Sequence, residues 1–247
     1  MDTDLLFKPI NQATVDASRY EELEHIIRTC DVISRLTNQS IYLVDYVQQK
    51  FLYVSPHPLF LCGYSAEEVK ETGIPFFQKV LSADEFQMLA EIMQMGWKIF
   101  YSTPEERMYS RISYDLHLCH KNGAKILVNQ KVSPLLLGDD GNVWLSIVIV
   151  NHSPHKASGN VVFTQKDKDL NYTYDFEKKK IISYIPDKLT KREEEILLLS
   201  MQGYSETIIG EKLNLSAKTI KNHRSNAKRK LGTNNLTNAI SRFNLKF

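Results

Sequence analysis

The sequence predicts a multidomain α+β chain: a five-stranded antiparallel sheet with helices on one face, followed by an all-α unit of four helices. Three observations predict it. Residues 40–152 hold short β-like apolar runs on either side of a helical middle. From Leu189 onward the texture changes to capped helical segments joined by short turns. The charge reverses at the same place: residues 188–247 carry 12 Lys/Arg against 5 Asp/Glu, whereas the preceding residues carry 19 against 24. A small basic module behind a larger acidic one suits a polyanion-binding unit with a separate control domain.

Residues 1–39 read as an N-terminal helical segment. Tyr20, Leu23, Ile26, Ile27, Cys30, Ile33 and Leu36 follow helical spacing over 16–37. Such a stripe packs onto its own domain or onto a second copy, and the spacing does not choose. The opening Met1-Asp2-Thr3-Asp4 has neither a basic region nor an apolar core, so no export signal is expected. The longest apolar stretch, Trp144 to Val150, is interrupted by Ser146 and falls far short of the roughly 20 residues of a membrane helix. Cys30, Cys62 and Cys119 show no metal or redox spacing. Buried thiols in a reducing cytoplasm are expected.

Within residues 40–152, Ile41-Tyr42-Leu43-Val44 and Phe51-Leu52-Tyr53-Val54 flank a polar Gln48-Gln49-Lys50 turn and read as a hairpin. Ser65 with Glu68 has the spacing of a capping box. A longer helix is expected from Ser82 or Asp84 through Phe86, Leu89, Ile92 and Met93. Three strands follow at about 109–120, 124–133 and 143–150, joined by Lys121-Asn122-Gly123 and Gly138-Asp139-Asp140-Gly141. The aromatics Tyr42, Phe51, Tyr53, Phe60, Phe76, Phe77 and Tyr114 are expected in the core. Residues 153–186 read as a connector, broken by Ser153-Pro154 and Ser158-Gly159 and closed by Pro186. Val161-Val162-Phe163 and Tyr172, Tyr174, Phe176 offer it a small hairpin.

In residues 187–247, Thr190 precedes Glu193 by three and caps a first helix. Ser205 caps a second, Ser216 a third with Ile220, Ala227 and Leu231 inward, and Gly232 ends it. A fourth holds Leu236, Ala239, Ile240 and Phe243. Two short helices joined by a tight turn, the second basic, form a helix-turn-helix layout. Between Ser216 and Lys230 lie six basic residues (Lys218, Lys221, Arg224, Lys228, Arg229, Lys230) and no acidic one. Asn222, Ser225 and Asn226 add hydrogen-bonding groups suited to base edges.

The motifs LTKREEEIL at 189–197, GYS at 203–205, Glu211-Lys212-Leu213 and LSAKTIKNHRSNAKRKLG at 215–232 resemble the LuxR-type (GerE) helix-turn-helix family over about 58 residues. The resemblance implies double-stranded DNA as partner and a homodimer. It implies that Lys221, Asn222 and Ser225 face bases, while Ser216, Lys218, Thr219, His223, Arg224 and Lys228 hold phosphates. Two positions depart from the family pattern. Gly210 stands in place of the usual alanine, which is expected to loosen the second helix by up to about 1 kcal/mol. Leu236 stands in place of a usual arginine.

The stretches IYLVDYVQQKFLYVSP at 41–56, GYSAEEV at 63–69, HKNGAKILV at 120–128 and GDDGNVWLSIVIV at 138–150 resemble a PAS domain. That resemblance implies sensing of an unknown small ligand or dimerisation. No Asn-Cys-Arg run marks a photoactive flavin domain, Cys62 lying in Leu61-Cys62-Gly63. His57, His117 and His120 read as hydrogen-bonded structural residues rather than haem ligands. No cofactor and no metal are therefore expected. No P-loop, G-x-S-x-G or H-E-x-x-H run is present, so an enzyme is not expected. The expectation is a cytoplasmic, sequence-specific DNA-binding transcription regulator. The alternative is a PAS-type ligand-binding protein whose basic unit binds a protein partner or RNA.

Overall fold

A computed structural model describes Leu6 and residues 12–102, 104–165, 170–185, 187–231 and 235–244. The chain divides into two compact units, Met1–Tyr184 and Ile185–Phe247. No described helix is long and apolar enough to cross a membrane.

The first unit opens with helix α1 (Leu23–Thr37), then strands β1 (Ser40–Asp45) and β2 (Lys50–Val54). Four helices follow: α2 (Pro58–Leu61), α3 (Ala66–Thr72), α4 (Phe76–Val80) and α5 (Ala83–Ser102). Then come β3 (Arg111–Cys119), β4 (Lys125–Leu137), β5 (Val143–His152), β6 (Gly159–Thr164), β7 (Asn171–Asp175) and β8 (Lys180–Tyr184). The turns form where the sequence places them. Gln49, Gly123 and Gly141 take positive φ at the three hairpins, and Ser65 with Glu68 makes the complete capping box.

The sheet is eight-stranded, in the order β2-β1-β5-β4-β3-β6-β7-β8, rather than the expected five. The three extra strands come from the segment read as a connector. Its interrupted sequence hides a clear alternation: Gly159, Val161 and Phe163 point inward along β6, and β6 pairs with β3. Asp115, wholly buried on β3, accepts from Asn160 Nδ2 and Asn129 Nδ2, each at 2.8 Å, and pairs with His155 Nδ1. A buried carboxylate needs such compensation, and here it ties the start of the segment to the sheet. Pro186 lies outside the described residues.

The two faces of the sheet follow the period-two rule. Tyr42 and Val44 of β1 belong to the main core with Phe51, Phe60, Phe76, Phe77 and the apolar face of α5. Tyr42 stacks on Phe60 with centroids 4.2 Å apart. The Tyr42 and Tyr114 hydroxyls both donate to Gln130 Oε1, at 2.9 and 3.0 Å. Ile41 and Leu43 point the other way and pack with Cys30 and Ile26 of α1. Helices α2–α5 thus share one face, as expected, while α1 covers part of the other. The same α1 leaves Val32, Ile33 and Leu36 exposed, Leu36 at 81%.

The second unit is all helical: α6 (Lys191–Met201), α7 (Glu206–Leu213), α8 (Ala217–Lys230) and α9 (Leu236–Asn244). Thr190, Ser205 and Ser216 are the caps, each accepting from a backbone N–H three residues on. Asn214 turns the chain between α7 and α8 in the left-handed region, with φ 53°. Gly232 lies outside the described residues. Two small clusters hold the unit together: Leu197, Ala227, Leu231, Ala239 and Phe243, and Ile196, Ile209 and Ile220.

Candidate nucleic-acid interface

Helix α8 divides by spacing into an inner and an outer stripe. Ile220, Ala227 and Leu231 are buried. On the opposite side Ser216, Lys218, Lys221, Asn222 and Ser225 are exposed. Thr219, His223 and Lys228 are half-buried along the margins. At the N-terminus, Ser216 Oγ accepts from Thr219 N at 3.0 Å and lies 2.8 Å from Thr219 Oγ1. Two hydroxyls and Lys218 therefore meet at the positive end of the helix dipole, where an anion is favoured. Lys221, Asn222 and Ser225 occupy the middle of the outer stripe.

Arg224 differs from the other basic residues. Its spacing, four after Ile220 and three before Ala227, puts it on the inner stripe. Its side chain is 12% exposed. The guanidinium donates to Ser200 Oγ at 2.9 Å and the Tyr204 carbonyl at 2.9 Å, and reaches Glu206 Oε1 at 3.5 Å. Lys230 is also turned inward, donating to Glu193 Oε2 at 2.9 Å and to the Lys188 carbonyl at 3.1 Å. Arg229 remains exposed, 3.4 Å from Asp187. The apparent self-repulsion of six like charges is thus relieved inside the unit by three acidic partners that the helix's own sequence does not show. Exposed Asn226 and Arg229 lie one turn beyond Asn222 and Ser225, a continuation of the outer stripe that i, i+4 counting finds.

The first unit holds a cavity of about 50 Å³ between α5 and the sheet, lined by Tyr46, Met93, Trp97, Phe100, Ile112 and Phe163 among others. That is room for a few waters, well below the roughly 300 Å³ of a drug-sized ligand site. Trp97 Nε1 is buried without a hydrogen-bond partner among the described residues. Burial pushes the Tyr46 hydroxyl up to about 12, against a lowering hydrogen bond with Ser146. The three histidines weighed as haem ligands have structural partners: His57 Nδ1 caps α2, His117 Nδ1 lies 2.6 Å from Glu85 Oε1, and His120 Nδ1 accepts from Asn122 N.

Residues 187–243 match the family of bacterial regulatory proteins, luxR family. The chain is 50% identical over 52 residues to the transcriptional regulatory protein DegU of Brevibacillus brevis, a stretch of 21% of this chain and 22% of that protein. The chain therefore spans about a fifth of the length of that relative. Among solved structures it is similar to a VqmA dimer of Vibrio cholerae in the absence of target DNA. That match has 16% identity, covers 90% of this chain and 85% of that one, and has a TM-score of 0.35. It is also similar to a PAS domain from Colwellia psychrerythraea, at 14% identity over 53% of this chain and 97% of that one, TM-score 0.36.

Proposed function

We propose, from a second unit that is a LuxR-family helix-turn-helix domain, that the chain is a sequence-specific DNA-binding transcription regulator. The observation that carries the reading is the outer stripe of α8. There cations and hydroxyls at the helix start suit phosphates, and Lys221, Asn222 and Ser225 behind them suit base edges. Ser216, Lys218, Thr219, His223 and Lys228 are assigned to phosphates. Arg224 is withdrawn from that set, because its guanidinium is turned inward onto Ser200, the Tyr204 carbonyl and Glu206.

The protein acts as a homodimer in the cytoplasm and catalyses no reaction. The exposed Val32, Ile33 and Leu36 stripe on α1 supports a second copy as a partner. The PAS-like unit serves sensing or dimerisation. If it senses, the ligand enters by widening the cavity at Trp97, whose unpartnered N–H favours a ligand with an acceptor atom.

Selection of bound sequences from a random duplex pool by the full chain tests this. Enrichment of a two-fold-symmetric motif is the expected result. Binding without enrichment, or preference for RNA over duplex DNA, would transfer support to a ligand-binding protein with an RNA or protein partner.

A further inference from the structure

We infer that Arg224 is a specificity-determining positioning residue: it locks α8 onto the α6–α7 turn, touches no phosphate, and thereby sets which bases the outer stripe reaches. The inference rests on the DNA-binding reading above and refines it. Its three partners come from three successive pieces of chain: Ser200 in the last turn of α6, the Tyr204 carbonyl just before the cap of α7, and Glu206 in its first turn. Ser200 is itself fixed, buried and donating to the Ile196 carbonyl at 2.6 Å. Its oxygen is therefore left to accept from Arg224 Nε. Only a planar guanidinium presents donors in a fork that can hold these partners at once; a lysine cannot.

The position of Arg224 along the helix gives the contact leverage. It is the eighth of fourteen residues in α8. A tilt of about 10° about this point displaces Lys221, about 4.5 Å away along the axis, by about 0.8 Å, and the first turn, roughly 10 Å away, by about 2 Å. Hydrogen bonds tolerate a few tenths of an ångström. Releasing the fork therefore misaligns the reading face as a body while leaving every outward cation in place. Among the described residues, no other ion pair joins α8 to the α6–α7 turn.

Salt dependence separates positioning from phosphate contact. Each phosphate neutralised contributes about 0.9 to the slope of log affinity against log salt. The test measures affinity of the full chain for its selected duplex, and for single-base variants of it, over a range of salt. Arg224→Leu is expected to lower affinity for the selected duplex roughly tenfold, flatten discrimination between base pairs, and leave the salt slope unchanged. Ser200→Ala removes one acceptor and no charge, and is expected to reproduce the loss of discrimination to a smaller extent. It carries the test alone if Arg224→Leu does not fold. A slope shallower by about 0.9 with discrimination intact would overturn the inference in favour of a phosphate contact. Wild-type discrimination in Ser200→Ala would overturn it too. A wild-type protein that binds duplex DNA without sequence preference or salt dependence would instead remove the DNA reading, and the inference with it.

Discussion

Lys230 Nζ lies 2.9 Å from Glu193 Oε2, joining the last turn of α8 to the first turn of α6. The same oxygen accepts from Thr190 N at 2.8 Å, so one carboxylate closes the α6 capping box and neutralises a cation of α8. Its side chain is 4% exposed and that of Lys230 17%. Burial pushes the Glu193 carboxyl up, but the Thr190 and Lys230 contacts outweigh it and hold the group below its ordinary value.

A carboxylate with a lowered folded-state value stabilises the fold above its unfolded value, about 4.5, and that contribution disappears as pH falls through the folded value. The helical unit is therefore expected to lose stability on acidification below about pH 4.5. Glu193→Gln keeps a cap acceptor but strands Lys230. It should be less stable at neutral pH by about 2 kcal/mol, less than for a fully buried pair because Lys230 is partly solvated. It should also show a shallower acid dependence. Both tryptophans, Trp97 and Trp144, lie in the first unit. Comparing melts by ellipticity at the helical band with melts by tryptophan fluorescence isolates the second unit. An acid profile in Glu193→Gln as steep as the wild type's would refute the assignment.

Gly210 reverses an expectation. Its departure from alanine suggests a helix loosened by up to about 1 kcal/mol, which alanine would restore. A Cβ at this position would instead meet the Leu215 carbonyl oxygen at 2.6 Å, backbone that cannot rotate away. The turn between α7 and α8 closes against the missing side chain, and Leu215 N donates to the Gly210 carbonyl at 2.9 Å. Gly210→Ala is expected to destabilise the helical unit by about 1–3 kcal/mol, read as a lower urea midpoint. A raised midpoint would mean the turn can shift freely.

What was legible in the sequence was local. Caps, hairpin glycines and aromatic core positions are written in residues a few places apart, and the motifs of α6–α8 carry the helix-turn-helix order. Contacts between distant segments were not legible. Three partners of the cations on α8, namely Asp187, Glu193 and Glu206, lie 18 to 42 residues away. Even so, the inward side of Arg224 could be counted from its place between Ile220 and Ala227. The three added strands were hidden for a related reason. Ser, Pro and Gly punctuate residues 153–160 as a linker would, and the carboxylate that recruits the segment sits at Asp115, on another strand.

Asp115 adds a side-chain tie between the start of this segment and β3, beside the β3–β6 pairing and the buried Val161 and Phe163. Asp115→Ala removes the charged acceptor shared by Asn129, Asn160 and His155; the two amides keep the Tyr114 and Ala157 carbonyls, so the loss is that of hydrogen bonds to a charged group, roughly 1.5–3 kcal/mol. The expected outcome is early exchange and proteolytic cutting confined to β6–β8, with α2–α5 and β1–β5 still protected. Uniform loss of protection across the first unit would show instead that β6–β8 and the rest of the sheet unfold together.

The thiols give an independent check on the core. Burial raises Cys30, and it pushes Cys62 up to about 12 with a smaller contribution from Cys119. The thiolate is the reactive form. A native sample at pH 8 is expected to release one equivalent rapidly from an aromatic disulfide reagent, at Cys119, and three in denaturant. Mass mapping that finds fast labelling at Cys62 would contradict the packing of α2 against the sheet.

Lys218 and Lys221 separate the two tasks proposed for α8. Both are exposed, but Lys218 lies in the first turn beside Ser216 and Thr219, whereas Lys221 lies one turn on beside Asn222 and Ser225. A phosphate contact carries charge but no sequence information, so Lys218→Ala should weaken every duplex alike and reduce the salt slope by about 0.9. A base-edge contact carries both, so Lys221→Ala should cost about 1–3 kcal/mol on the selected duplex and relax preference at one position of each half-site. Affinity titrations of both variants on the selected duplex and its single-base variants, at two salt concentrations, read these effects apart. Loss of base preference in Lys218→Ala with none in Lys221→Ala would mean that α8 approaches the groove with its first turn deepest. The base-facing set would then move toward Ser216 and Thr219.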